Sequence, residues 1–216
     1  MDESATGLIL RVYPLTETSL IVHWLTPDLG RVATVAKGAR RPKSSFRGKL
    51  DLFYLADFSF SRSRRSELHA LREVTLKEAH SPLRRELALL QQTSYCAALI
   101  EQSTEKGTPI PVVFDLMMGL LKHLPTQTPQ AQTIFSFELK LLTELGLKPD
   151  LDKSRLTPGA KQLVKALGES DWSLLARLKP TAAQVSELRE FLHGFLIFHL
   201  GRIPKGRGSA MGSAMT

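Results

Sequence analysis

Six cations, Lys37, Arg40, Arg41, Lys43, Arg47 and Lys49, fall within thirteen residues that contain no carboxylate, a local charge of +6. Gly38, Pro42, Ser44, Ser45 and Gly48 punctuate the same stretch, so it reads as a turn-rich loop in which neither helix nor strand pairing absorbs the charge. Such a loop is suited to phosphates. Each Lys or Arg that neutralises one releases a condensed counterion, which drives binding without reading base sequence. A solvated basic loop of no consequence is the plainer alternative for a run of this size. Arg31, Arg62, Arg64 and Arg65 lie before and after it as auxiliary candidates for the same contact. Tyr13, His23, Phe46 and Phe53 are candidate stacking platforms for bases, although an aromatic in a short strand more often belongs to the core.

Catalytic chemistry has no comparable signature. The sequence holds no Walker-type glycine loop, no GxSxG elbow and no carboxylate pair with supporting spacing. Asp51 and Asp57 read as solvated strand residues. Of the histidines at 23, 69, 80, 123, 193 and 199, only the last two sit close together on one expected helix, and a spacing of six does not bring them to one face. Cys96 is the only cysteine, so neither an intrachain disulfide nor a cysteine-based zinc cluster can form; it reads as a small buried hydrophobe. The expectation is a protein that is not an enzyme and carries no cofactor and no metal.

The elements that position the basic loop follow from periodicity. From Thr6 to Ala79 the pattern has period two: strands are expected at Leu8 to Tyr13, Leu20 to Leu25, Val32 to Ala36, Leu50 to Ser61 and Leu68 to Leu76. Leu50, Leu52, Tyr54, Ala56, Phe58 and Phe60 give the cleanest alternation. Five strands in about seventy residues need protected edges, and a small closed barrel provides them. The five-stranded OB type is the first choice, with an SH3-like barrel as the alternative. After His80 the pattern turns helical, with helices expected from Ser81-Pro82 to Glu101, from Val112 to before Pro125, from Ile134 to Leu145, from Pro158 to Leu167, and briefly after Asp171. A capping box at Thr181 to Gln184 opens the last helix, whose stripe is Val185, Leu188, Leu192, Phe195, Leu196 and His199. The fold expected is therefore α+β, with a barrel over 1–80, a helical domain over 81–203 and a flexible basic Gly/Ser tail over 204–216.

Charge distribution agrees with that division. The net charge is +8, with +4 in residues 1–80, +1 in 81–200 and +3 in 201–216. A polyanionic partner is implied, which net charge alone does not name. The acidic start MDESATG lacks the regions of a signal peptide, and no apolar run approaches the ~20 residues of a membrane span. A soluble protein of the reducing cytoplasm is expected.

Particular strings resemble the recombination mediator family RecO. They are Gly7-Leu8-Ile9-Leu10-Arg11, Glu17-Thr18-Ser19-Leu20-Ile21-Val22, Leu25-Thr26 with Gly30-Arg31, and above all Val35-Ala36-Lys37-Gly38-Ala39-Arg40-Arg41. Further likeness lies in Phe46-Arg47-Gly48-Lys49-Leu50, in Phe137-Glu138 to Leu142 before Gly146-Leu147-Lys148-Pro149, and in His199-Leu200-Gly201-Arg202. The resemblance implies an OB domain on an all-helical domain, without turnover. It also implies binding to single- and double-stranded DNA, annealing of complementary strands, association with RecR, and help in loading RecA on DNA coated by single-strand-binding protein, which has an acidic C-terminal tail. A bacterial cytoplasmic protein, nucleoid-associated when active, is implied with it. Many members carry a four-cysteine zinc site; here Pro149-Asp150-Leu151 is followed by Asp152-Lys153-Ser154-Arg155, and no zinc is expected. The competing classes are an RNA-binding OB module in translation or RNA processing and a protein adaptor for acidic tails.

Overall fold

The computed structural model describes residues 2–212. Five strands, β1 (Asp2–Pro14), β2 (Leu20–Thr26), β3 (Gly30–Ala36), β4 (Leu55–Ser61) and β5 (Leu68–Glu78), close into a barrel in the order β1-β2-β3-β5-β4. Among these five strands β3 and β5 alone pair in parallel, from Ala33 opposite Leu68 to Val35 opposite Ala70. Together with a closed sheet of five strands, this order is that of an OB barrel and excludes the SH3-like alternative. β1 serves two neighbours. Its first half pairs with β4, Asp2 opposite Ser61 to Leu8 opposite Leu55, and its second half pairs with β2 from Leu8 opposite Leu25 onward.

Alternation fills the interior. Ile9, Val22, Trp24, Phe58, Phe60, Leu71 and Val74 form the barrel core, with Trp24 stacked on Phe58 at 4.1 Å. Burial would orphan the indole N–H, but it donates to Thr34 Oγ1 at 2.8 Å.

The expected fourth strand is shorter than its alternation. Ala56, Phe58 and Phe60 do point inward, but residues 50–54 are a turn in which Phe53 takes a left-handed φ of 63°. The competing bonds reach across the sequence to β1: Phe53 N–H donates to Ile9 O at 2.8 Å, and Ile9 N–H donates to Tyr54 O at 2.9 Å. A β-bulge at Ile9/Arg11 accompanies these bonds. In β5, register shifts opposite β4 change the phase, so Leu71 and Val74 are buried while Leu76 is 38% exposed.

Residues 2–81 and 104–115 cluster as one compact unit, and residues 82–103 and 116–212 as a second. The helices are α1 (Leu87–Ser103), α2 (Pro111–His123), α3 (Ala131–Glu144), α4 (Pro158–Glu169), α5 (Trp172–Leu175), α6 (Ala182–Leu200) and α7 (Arg207–Ala210). In the second unit α3 is central, buried without a break from Gln132 to Leu139. The expected capping box opens α6: Thr181 Oγ1 accepts from Gln184 N–H, Gln184 Oε1 accepts from Thr181 N–H, and left-handed Gly201 closes the helix.

Leu188, Leu192 and Leu196 of the α6 stripe are buried, whereas His199 is exposed. The expected flexible tail is instead folded as far as residue 212, because α7 carries a buried Arg207; residues 213–216 lie outside the described residues.

His123, at the end of α2, is buried with its ring 5.4 Å from Trp172, and burial pushes its pKa below the ordinary 6.5. The folded state keeps this ring neutral while the unfolded chain takes up a proton, so stability present above the ordinary value is lost as pH falls below it. Urea unfolding between about pH 7 and pH 5 is expected to show this loss, and His123→Phe to reduce it.

Candidate nucleic-acid interface

The basic loop leaves the end of β3 and enters the start of β4. Its backbone is folded into successive turns: Arg41 N–H donates to Gly38 O, Ser44 to Arg41 O, Arg47 to Ser44 O and Lys49 to Phe46 O, at 3.0 to 3.2 Å. Because the main chain satisfies itself, the side chains are left to solvent. Two bonds tie the loop to the β1–β2 turn, Arg40 N–H to Thr18 O at 2.9 Å and Gly38 N–H to Ser19 Oγ at 3.3 Å. Phe46 is its apolar anchor, buried in the barrel core, with Ala39 and Leu50 packed against that core.

Lys37, Arg40, Arg41, Lys43 and Arg47 are exposed, and Lys49 is half-buried. Among the described residues none of the six forms an ion pair, and their one side-chain hydrogen bond runs from Arg47 Nη1 to Pro42 O at 3.4 Å. Their charge is therefore not neutralised by any other described residue, and it is concentrated at one end of the barrel. A field of this kind attracts polyanions and weakens with salt.

Strand direction divides the remaining candidates. Arg31 lies at the start of β3, and Arg62, Arg64 and Arg65 lie in the hairpin after β4, so these four sit at the end of the barrel opposite the loop. One continuous cationic rim of ten residues is thus not what the fold builds. Arg31 donates to the Thr104 hydroxyl at 2.8 Å and to the Thr104 carbonyl, and Arg62 is clamped by Glu3 with bonds of 2.7 and 2.8 Å. The guanidinium of Arg62 holds the Glu3 carboxyl below its ordinary range.

The aromatic candidates divide as well. Phe46 and Phe53 are 8% and 1% exposed, so neither is a platform; one anchors the loop and the other fills the bulge beside Ile9. Tyr13 and His23 stay half-buried on neighbouring strands, Tyr13 Oη 3.0 Å from His23 Nε2 and their rings edge-to-face at 5.3 Å. Lys106 was not anticipated. It pairs with Glu67 at 2.6 Å, in a segment whose Gly107 N–H donates to Arg31 O at 3.0 Å; nothing in its local sequence signals a return to the barrel.

A closed barrel in OB order, bearing a cationic loop without ion pairs among the described residues and continued in the same chain by helices, defines an OB-domain protein. The model described as "Recombination protein O N terminal" matches residues 1–80, and that described as "Recombination protein O C terminal" matches residues 84–157. The chain belongs to the RecO family of DNA repair and recombination proteins. It is 30% identical to the DNA repair protein RecO of Bacillus pumilus over 68% of this chain and 57% of that protein. It is 36% identical to that of Burkholderia pseudomallei over 68% of this chain and 52% of the relative. The alignments thus span a little over half the length of these curated relatives. Among the described residues no helix is long and apolar enough to cross a membrane.

Proposed function

We propose that this chain is a recombination mediator that binds DNA through the loop from Lys37 to Lys49, anneals complementary strands without catalytic turnover, and helps load RecA on strands coated by single-strand-binding protein. The observation that carries the reading is the set of six loop cations with no ion pair among the described residues, held on a rigid turn scaffold. Phosphate neutralisation lowers the repulsion between strands and leaves base edges free to pair. Tyr13 and His23, half-buried on neighbouring strands, offer rings for a base, and Arg11 beside them is exposed.

RecR and single-strand-binding protein are the protein partners of this reading. A partly exposed aromatic row on α6 supports a protein contact by the helical unit: half-buried Phe195 lies 5.9 Å from half-buried Phe191 and 4.3 Å from exposed His199, and Phe198 is 83% exposed. Arg202 just beyond fits a partner with an acidic tail.

Salt-dependent binding of labelled oligonucleotides tests the loop. With about four phosphates neutralised, the log–log slope on single strands should be about −3. Arg40→Ala with Arg41→Ala is expected to weaken binding of all sequences alike and to flatten that slope by about 1 to 2. Unchanged affinity in this variant would remove the assignment. Matched RNA and DNA oligonucleotides, followed by an annealing assay, separate the mediator from an RNA-binding module.

A further inference from the structure

At the end of the barrel away from the loop lies a cleft of about 640 Å³, entirely within the first unit, between the hairpin 62–67 and the segment 104–109. Arg31, Arg62, Arg64, Arg65, Lys106 and His69 line it, with Asp28 and Glu67 also on its wall. Three of the cations are held in place, Arg31 by Thr104, Arg62 by Glu3 and Lys106 by Glu67. Cations already fixed by neighbours lose little side-chain entropy when a ligand arrives. Arg64 and Arg65 complete the site from the hairpin tip, exposed and without an ion pair among the described residues. The tip itself is shaped by its serines: Ser63 Oγ accepts from Arg65 N–H at 3.3 Å, Ser66 Oγ accepts from Leu68 N–H at 3.1 Å, and Ser63 N–H donates to His69 Nδ1 at 3.2 Å.

We propose that this cleft is a second phosphodiester site, which holds a second nucleic-acid segment while the Lys37 to Lys49 loop holds the first. The proposal rests on the reading of that loop as a strand contact. Arg64 and Arg65 present planar donor forks that match phosphate oxygens, while Arg31 and Arg62, whose forks are engaged by Thr104 and Glu3, add charge and their remaining N–H donors. The separation of the two sites also favours two strands. A seven-residue strand such as β3 spans on the order of 20 Å, against a screening length of about 8 Å at physiological salt. Two segments held at opposite ends are screened from one another, yet each is kept at a high effective concentration relative to the other. Asp28 and Glu67 on the wall, the latter paired with Lys106, leave the exposed tip with Arg64 and Arg65 as the cationic part of the cleft.

The test uses the full chain and a labelled thymidylate oligonucleotide of about eight nucleotides, a length suited to one OB-sized site. Stoichiometric titration at low salt is expected to find two oligonucleotides on the unaltered protein. Arg64→Ala with Arg65→Ala, at an exposed tip where folding is checked by an unchanged melting curve, is expected to bind one. Its annealing rate should fall by roughly tenfold or more as the second strand is no longer held. Arg40→Ala with Arg41→Ala should also bind one, through the cleft. If this loop variant still binds two while the tip variant binds one, the loop reading fails and the cleft assignment stands. Two oligonucleotides on the tip variant, or a loss of polyglutamate binding from that variant in place of oligonucleotide binding, overturns the proposal.

Discussion

Arg207→Ala is expected to destabilise the helical unit by about 3–5 kcal/mol, because it leaves a fully buried carboxylate without its cation. Arg207 Nε and Nη2 donate to the two oxygens of Glu138 at 2.7 and 2.8 Å, and Nη1 donates to Arg189 O at 3.1 Å. Tyr95 Oη donates to Glu138 Oε1 at 2.5 Å, so both carboxylate oxygens are satisfied. Burial works against the charge on Arg207, but its hydrogen bonds to Glu138 and the charge of that carboxylate outweigh it and raise its pKa; burial and Glu138 push the Tyr95 phenol up, which keeps it a donor. Gln92 Nε2 fastens the same segment through Ala210 O at 2.9 Å. Urea unfolding measures the loss. Glu138→Leu and Arg207→Met combined with Tyr95→Phe should recover most of it, since apolar groups of similar size leave neither an orphaned charge nor an orphaned hydroxyl. A single variant as stable as the unaltered protein would show that the ion pair is not structural.

The second large effect is at Gly30. Its φ of +63° lies in the left-handed region, and a Cβ there would stand 1.9 Å from Thr108 O. Gly30→Ala therefore combines backbone strain with a collision against main chain, which cannot swing aside as a side chain can, and a loss of about 2–4 kcal/mol is expected. The segment 104–109 must shift. With it go the bond from Gly107 N–H to Arg31 O and the hold of Thr104 on Arg31. The variant should show a lowered urea midpoint together with weakened second-oligonucleotide binding, while binding at the loop is retained. Full stability would mean that the segment does not press on β3 in solution.

The barrel was legible because its inward residues are apolar at period two, as in Ala56, Phe58 and Phe60. Legibility ends where backbone bonds compete with that pattern. Leu50 to Tyr54 continue the alternation, yet Phe53 is drawn into a left-handed turn by its bonds to Ile9, which are remote in sequence. The loop was readable as a turn-rich basic run, since Gly38 and Gly48 both take positive φ there. Which end of the barrel each arginine occupies was not readable, because proximity in sequence says nothing of strand polarity. Phe46 shows the same limit: an aromatic inside a basic loop suggests a base platform, but the loop uses it to plug the core. Nor does a Gly-rich terminal run announce that Arg207 has a partner at Glu138, 69 positions earlier.

The divided pairing of β1 bears on assembly. Residues near the amino terminus must find Leu55 to Ser61, across a span of some fifty residues, before the sheet can shut. Such a seam forms late, and its long-range closure makes the barrel slow to fold relative to a helical bundle. Until it shuts, β4 presents a bare margin of amide and carbonyl groups that another copy of the chain could occupy, so nascent or partly melted molecules are open to strand exchange along that margin.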